Sequence, residues 1–361
     1  MKDIIPERVK MARRLCRFSM DDLVRRMGDG AVSKMAISKI ERGLMRPSAT
    51  TLQAIATACH LPVPFFSQPL PVLDELECRF SQCVTQEQRK HIKQTVGILL
   101  QSYFGAQAVL DDALPFAHPL PRTVLRNYAD AEAAAVKLRR KWEIGLQPIH
   151  SVYELLAIYG IHVLEVDLEC TNVDGLSTFV HGSFSSKEDI PVIIINTRTH
   201  TTTERKRFTA LHELCHLLCT LRPDDEARHQ AYVDALPPIP HTVTLKQPNE
   251  ERLCDLFASA MLMPQPCVLR RFGKARTAVT LDEFKATRRL YGNSVASQIH
   301  RLHDLRIIDD TLYHHLYETI ITPDRKEEHL GEPYPIMETA DRMPMLEERL
   351  KVERGKLKDL D

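Results

Sequence analysis

The chain has 361 residues, enough for two or three domains with apolar cores of their own. Hydrophobic residues make up 43% and charged residues 27%, while 13 Gly and 22 Pro amount together to about a tenth, which excludes collagen-like, low-complexity and wholly disordered chains. Formal charge is zero, yet residues 1–66 carry twelve Lys or Arg against six Asp or Glu, so a basic N-terminal segment precedes a net acidic remainder. That asymmetry points to a polyanionic partner for the first segment. Apolar runs such as Val192 to Ile195 fall far short of the ~18 residues of a membrane span, and Met1 to Arg14 is too charged for a signal peptide. A cytoplasmic location with no membrane partner is expected. Nine Cys without a C-x2-C pair read as reduced thiols.

From the N-terminus, four short helices are expected: Glu7 to Arg17, Ser19 to Met27, Ser33 to Arg42 and Ser48 to Cys59. Ser19 precedes Asp21 and Asp22 as an N-cap, Gly28 and Gly30 interrupt, and Gly43 stands where a helix C-terminus wants a left-handed residue. Leu23, Val24 and Met27 give the second helix an apolar side, the Gly28 to Val32 turn follows, and Ile37 and Ile40 anchor the third. This is helix-turn-helix spacing. The third helix offers Ser33, Lys34, Met35, Ser38, Lys39 and Arg42 outward; in such units it enters the major groove and flanking basic groups hold phosphates. Val32 to Gly43, with Pro47-Ser48 and Leu52 after it, resembles the Cro/C1 (XRE) repressor family over about residues 5–66. Double-stranded operator DNA is then the expected partner, with Lys34 and Lys39 in the groove, and a homodimer would read two half-sites. A small protein-binding module with solvated charges is the alternative, and Arg13, Arg14 and Arg17 suit a solvated helix face equally well.

Pro62, Pro64, Pro69 and Pro71 suggest a linker, Gln86 to Leu110 one long polar-faced helix, and Pro115, Pro119 and Pro121 close that section. Asp130 to Trp142 and Ser151 to Tyr159 read as helices. A β-rich stretch from Gly160 to Asn196 contains the strands His162 to Val166 and Pro191 to Asn196. Helical patterning returns at Thr203 to Leu221, Asn249 to Met263, Thr280 to Tyr291, Ser294 to Leu305 and Asp309 to Ile320. The tail after Thr322 is charged and dotted with Pro.

His212-Glu213-Leu214-Cys215-His216 is an HExxH sequence in an apolar, helix-compatible segment. Histidines at i and i+4 project from one helix face and can share one Zn²⁺, while the intervening Glu213 lies beside the open coordination position as a general base. A second helix places Glu251 and Asp255, again at i and i+4, just before an apolar run. Glu251 is assigned as third ligand and Asp255 as the group that orients a ligating histidine. Both also suit an exposed first turn favoured by the helix dipole, and Glu250 competes as ligand.

Arg207 to Leu218, followed by Asp255 to Pro264 with its Phe257-Ala258 and Leu262-Met263-Pro264 phrases, resembles the ImmA/IrrE family of metallopeptidases over roughly residues 130–320. Asp174-Gly175-Leu176-Ser177 and the Val192 to Asn196 strand resemble that family's small sheet. Cys215 and Cys254-Asp255 depart from its usual Gly and Ala-Asn. Cys215, Cys219 and Cys254 read as soft ligands, an oxidation-sensitive site or, preferably, small buried apolar residues. Tyr232, His229 and His241 lie between the two zinc helices, and sequence does not choose among them as transition-state stabiliser.

The expected fold is α+β and mostly helical: a helix-turn-helix domain (1–66), a Pro-rich linker and helical connector (67–129), a zincin-like peptidase domain with a small sheet (130–270), a helical C-terminal subdomain (271–322) and a charged tail (323–361). The resemblance implies a zinc endopeptidase that cleaves a regulatory protein, in the first place a repressor, in a stress or mobile-element response. The alternatives are a non-proteolytic XRE-family regulator that senses a metal or small ligand, and the antitoxin-like half of a toxin pair.

Overall fold

In a computed structural model of the chain, the described residues are 4–16, 18–28, 32–59, 61–67, 84–110, 116–180, 190–199, 202–239, 242–321 and Glu338. Helix α1 (Pro6–Leu15) opens on a proline, whose missing N–H is no loss in a first turn. Ser19 caps α2 (Met20–Met27): its hydroxyl accepts from the Asp22 amide, and the Asp22 carboxylate accepts from the Ser19 N–H. Gly28 ends that helix at φ 91°, a backbone other residues rarely adopt. Ser33 caps α3 (Lys34–Glu41) through the Ala36 N–H, and α4 (Ala49–Cys59) follows. Val9, Leu23, Ile37, Ile40 and Ile55 are buried together between these helices.

The expected linker at Pro62 and Pro64 is corrected. Val63–Ser67 forms a 3₁₀ turn that drives Phe65 and Phe66 into the same core, and the burial of two rings outweighs the breaker signal of the prolines. Gly30, Pro69, Pro71 and Pro115 lie outside the described residues.

Helix α5 (Gln86–Leu110) buries Ile92, Val96, Leu100, Tyr103 and Phe104, spaced three and four apart along one face. These side chains join the core of the first four helices to the outer face of a three-stranded sheet, where Tyr103 Oη lies 3.0 Å from His162 Nδ1 in a buried hydrogen bond. Strand β1 (Val124–Leu125), α6 (Tyr128–Lys141) and α7 (Val152–Ile158) precede that sheet. It is made of β2 (His162–Val166), β3 (Gly175–Val180) and β4 (Ile190–Asn196), with β4 central, parallel to β2 and antiparallel to β3. Centrality explains the unbroken apolar run of β4: Val192 and Ile194 face the α5 side, Ile193 and Ile195 the opposite core.

On that opposite side lies α8 (Thr203–Leu218). The expected helix to Leu221 stops short because Cys219 turns extended (φ −124°, ψ 145°) and β5 (Thr220–Leu221) pairs in parallel with β1. Backbone hydrogen bonds to a distant strand override the local helical pattern. Next come α9 (Glu226–Asp234), α10 (Glu250–Leu262), α11 (Gln265–Phe272), α12 (Leu281–Tyr291), α13 (Val295–Asp304) and α14 (Asp310–Ile320). Phe272, Phe284, Ile299, Leu302, Ile307 and Leu316 build a third core among the last four. Of the expected charged tail only Glu338 is among the described residues. The fold is α+β and mostly helical, with an N-terminal helical unit ahead of the sheet. No described helix is long and apolar enough to cross a membrane.

Candidate metal centre and DNA-facing helix

Helices α8 and α10 pack side by side through Leu211, Leu214, Cys215, Leu253 and Phe257, all fully buried. Asn249 caps α10 through the Arg252 N–H, so the helix starts where Glu251 and Asp255 face the histidine side of α8. His212 Nε2 lies 3.1 Å from Glu251 Oε2, His216 Nε2 lies 3.6 Å from Glu251 Oε1, and the two Nε2 atoms are 3.2 Å apart. A tetrahedral ion with bonds of about 2.0–2.1 Å to nitrogen places its ligand atoms about 3.3 Å apart, so this nitrogen and oxygen set fits zinc.

The other ring nitrogens are engaged elsewhere. His212 Nδ1 is 2.9 Å from Asp255 Oδ1, and His216 Nδ1 is 3.7 Å from Cys254 Sγ. Those contacts orient each Nε2 toward Glu251. A second donor set of His212, His216 and Cys254 has ligand atoms within 4.8 Å of one another. Cys254 meets His216 through Nδ1, away from the paired Nε2 atoms, whereas the Glu251 carboxylate lies beside both Nε2 atoms. Cys215, Cys219 and Cys254 are all buried, as small apolar residues would be, and Cys254 adds the contact to His216.

Charge in the site is strongly coupled. Burial works against protonating His212, but the hydrogen bonds to Asp255 and Glu251 and the Glu213 charge outweigh it and hold its pKa well above the ordinary value. For His216 burial is likewise overcome, by Cys254 and Glu251, and its pKa rises to about 9. Glu251 is held far below the usual carboxylate range by its bonds to His212 and His216. Burial pushes the Cys254 thiol up, yet its contacts with Cys215 and His216 bring it down to about 6.

Glu213 points from α8 toward β3, where the Ser177 hydroxyl donates to its Oε2 at 2.7 Å. Gly175 makes that approach feasible: a Cβ there would sit 2.7 Å from Thr209 Cγ2 and 3.2 Å from Glu213 Cγ. The sequence marked Asp174 to Ser177 only as part of a sheet, so these two positioning residues went unassigned.

A cleft of about 860 Å³ opens over the centre, lined by His212, Glu213, His216, Glu251 and Asp255 together with Asn172, Phe208, Ser297 and His300. Of the residues considered as stabilisers, the two described ones lie elsewhere. His229 is buried with Nε2 2.8 Å from the Leu245 carbonyl, neither it nor Tyr232 lines the cleft, and His241 lies outside the described residues. His300 does line it, its Nδ1 3.0 Å from Tyr313 Oη, its pKa lowered by burial and by Arg252. No motif surrounds His300, and only the packing of α13 brings it to the cleft.

On the N-terminal unit, Lys34, Met35, Lys39 and Arg42 are exposed on or beside α3, with Met35 at 67%; Ser33 is exposed but serves as cap, and Ser38 is half-buried. Lys34 Nζ is paired with Asp21 Oδ2 at 2.6 Å. Arg13 is not a solvated side chain: it grips Glu41 with two bonds of 2.6 and 2.9 Å. Arg17 and the Arg14 side chain lie outside the described residues.

Residues 157–303 match the family model of the IrrE N-terminal-like domain, a span holding α8, α10, β3 and His300. Residues 9–66 match that of the helix-turn-helix, which holds α2 and α3. No curated protein matches the chain. The chain therefore joins a DNA-binding helix-turn-helix unit to a peptidase-like domain of the IrrE N-terminal-like family.

Proposed function

We propose that the protein is a transcription regulator that binds operator DNA through α3 and, through its second domain, hydrolyses a peptide bond of a regulatory protein, in the first place a repressor. The carrying observation is the convergence of His212 Nε2, His216 Nε2 and the Glu251 carboxylate beside Glu213 in a cleft. His212, His216 and Glu251 would hold the metal, Asp255 fixing the tautomer of His212. Zinc bound there would supply a Lewis acid for the scissile carbonyl and acidify a water. Glu213, with Oε2 held by Ser177, takes a proton at its other oxygen from the attacking water and returns it to the leaving amine. On α3, Lys34, Met35, Ser38, Lys39 and Arg42, with Ser33 at the helix start, form the DNA contact, and a homodimer presents two such helices to two half-sites. The domain limits stay at 1–66, 67–129, 130–270, 271–322 and 323–361. Cytoplasmic placement accompanies the DNA partner.

Elemental analysis of the wild type and His216→Ala, beside incubation with candidate repressors, tests the reading. One zinc per wild-type chain, absent from the variant, and fragments abolished by Glu213→Gln are the expected results. Zinc without fragments would replace the peptidase by a sensor, and a Glu213→Gln protein that cleaves normally would overturn the assigned mechanism.

A further inference from the structure

Helical spacing divides the residues of α3 into two sides. Ile37 and Ile40 are buried in the core of the N-terminal unit and Glu41 is gripped by Arg13, so these three fix the inner side. Met35, Ser38, Lys39 and Arg42 stand at i, i+3, i+4 and i+7, one stripe turned away from that core. Polar groups on and beside the stripe are partly engaged: Arg42 Nε donates back to the Ser38 carbonyl at 3.1 Å, Lys34 is paired with Asp21, and the Ser33 hydroxyl accepts from the Ala36 N–H. Met35 is the stripe's large apolar side chain, and it is 67% exposed. Single exposed apolar side chains are common on protein surfaces, so its position carries the argument. It lies in the first turn of α3, the part of such a helix that reaches base edges, within a segment that holds twelve Lys or Arg against six Asp or Glu.

We propose that Met35 reads the C5-methyl group of a thymine, which makes thymine the specified base at the position it faces in each operator half-site. The inference rests on the reading of α3 as the helix that enters the major groove. In that groove guanine, adenine and cytosine present hydrogen-bond donors and acceptors, and thymine adds an apolar methyl group. A thioether donates no hydrogen bond and accepts only weakly, so against the polar edges of the other bases it displaces water and returns nothing. Against the methyl group it removes apolar surface from water on both partners, and its unbranched, flexible chain fits itself to the contact. A 5-methylcytosine carries a methyl group at the same place and offers the same contact. Lys39 and Arg42 along the stripe attract phosphates whatever the sequence, so Met35 contributes discrimination and the cations contribute affinity.

The test selects duplexes from a random pool with the full-length wild-type chain, then replaces each thymine of the selected sequence singly by uracil, which keeps the base pair and lacks only the methyl group. At one thymine in each half-site the wild type is expected to lose about fourfold in affinity, the worth of one buried methyl group. Met35→Ala is expected to bind the thymine and uracil forms of that site equally, and Met35→Leu to keep the preference. At the same position 5-methylcytosine is expected to bind the wild type more tightly than cytosine, and Met35→Ala to lose that difference too. Equal binding of all uracil forms by the wild type, or full discrimination retained by Met35→Ala, would overturn the proposal while leaving α3 as the DNA-reading helix. Failure of any duplex to be enriched would overturn the groove reading of α3 and this inference with it. Because Met35 packs on no core, its replacement is expected to leave the fold intact, and the uracil scan of the wild type needs no variant at all.

Discussion

Helix α3 and the candidate metal centre pose opposite problems. On α3 the side chains proposed to meet DNA fall close together between Ser33 and Arg42, mostly exposed, with Lys34 held by one surface ion pair that contributes little to stability. Around His212 they come from α8, α10, β3 and α13, and hydrogen bonds and mutual charge tie His212, His216 and Glu251 to one another. A surface that reads a long polyanion needs charge it can redeploy, whereas a centre that moves one proton needs groups that cannot drift. Substitutions should therefore act locally and gently on the first and cooperatively on the second.

The largest expected effect is at Glu213. Glu213→Gln should lower cleavage by about 10²–10⁴-fold with zinc content and operator affinity unchanged, measured on one preparation. Next, Gly175→Ala should push Thr209 and Glu213 and cost up to about 10²-fold in cleavage without loss of zinc, because the disturbance is on the β3 side of the base. Full activity in that variant would show that Glu213 is not held in a fixed place.

Metal uptake should depend on pH. In the metal-free protein both histidines hold protons more tightly than ordinary imidazoles, His216 up to about pH 9, and those protons must leave when the nitrogens become ligands. Zinc affinity should rise with pH from 6 to 8, by up to about tenfold per unit for each proton displaced, as calorimetry in buffers of different ionisation enthalpy would show. For the metal-free fold the sign is reversed. Raised histidine pKa values stabilise it below the ordinary histidine range, and that stabilisation is lost as pH climbs toward the folded-state values.

The smallest effects belong to α3. Lys39→Ala should weaken DNA binding and reduce the salt slope by about one. Lys34→Ala should do less because Asp21 already offsets that charge, and Asp21→Ala should tighten binding. A stronger loss at Lys34 than at Lys39 would reverse the ranking of the two.

The same contrast governs what could be read from the sequence. Cap residues, the Gly43 stop and the two i, i+4 pairs are short-range signals, and they located α2, α3, α8 and α10. Ser177, Gly175 and His300 carry no local signature; each matters only because tertiary packing delivers it to Glu213 or to the cleft. Phe65 and Phe66 were hidden by the prolines beside them, and the β1–β5 pair by the length of chain between its strands. Arg13 shows the converse case: sequence left it open between a DNA contact and a solvated face, and only the distant Glu41 opposite it decides its place.

The aromatic pair Phe65 and Phe66, the buried side of α5 and the outer face of the sheet belong to one continuous apolar cluster, and the inner face of the same sheet seats α8. The DNA-reading unit is thus not a bead on a string. Heated in a calorimeter, it should melt together with the sheet in one cooperative transition, and a polar residue at Val96 or Leu100, at the seam, should split that transition into two.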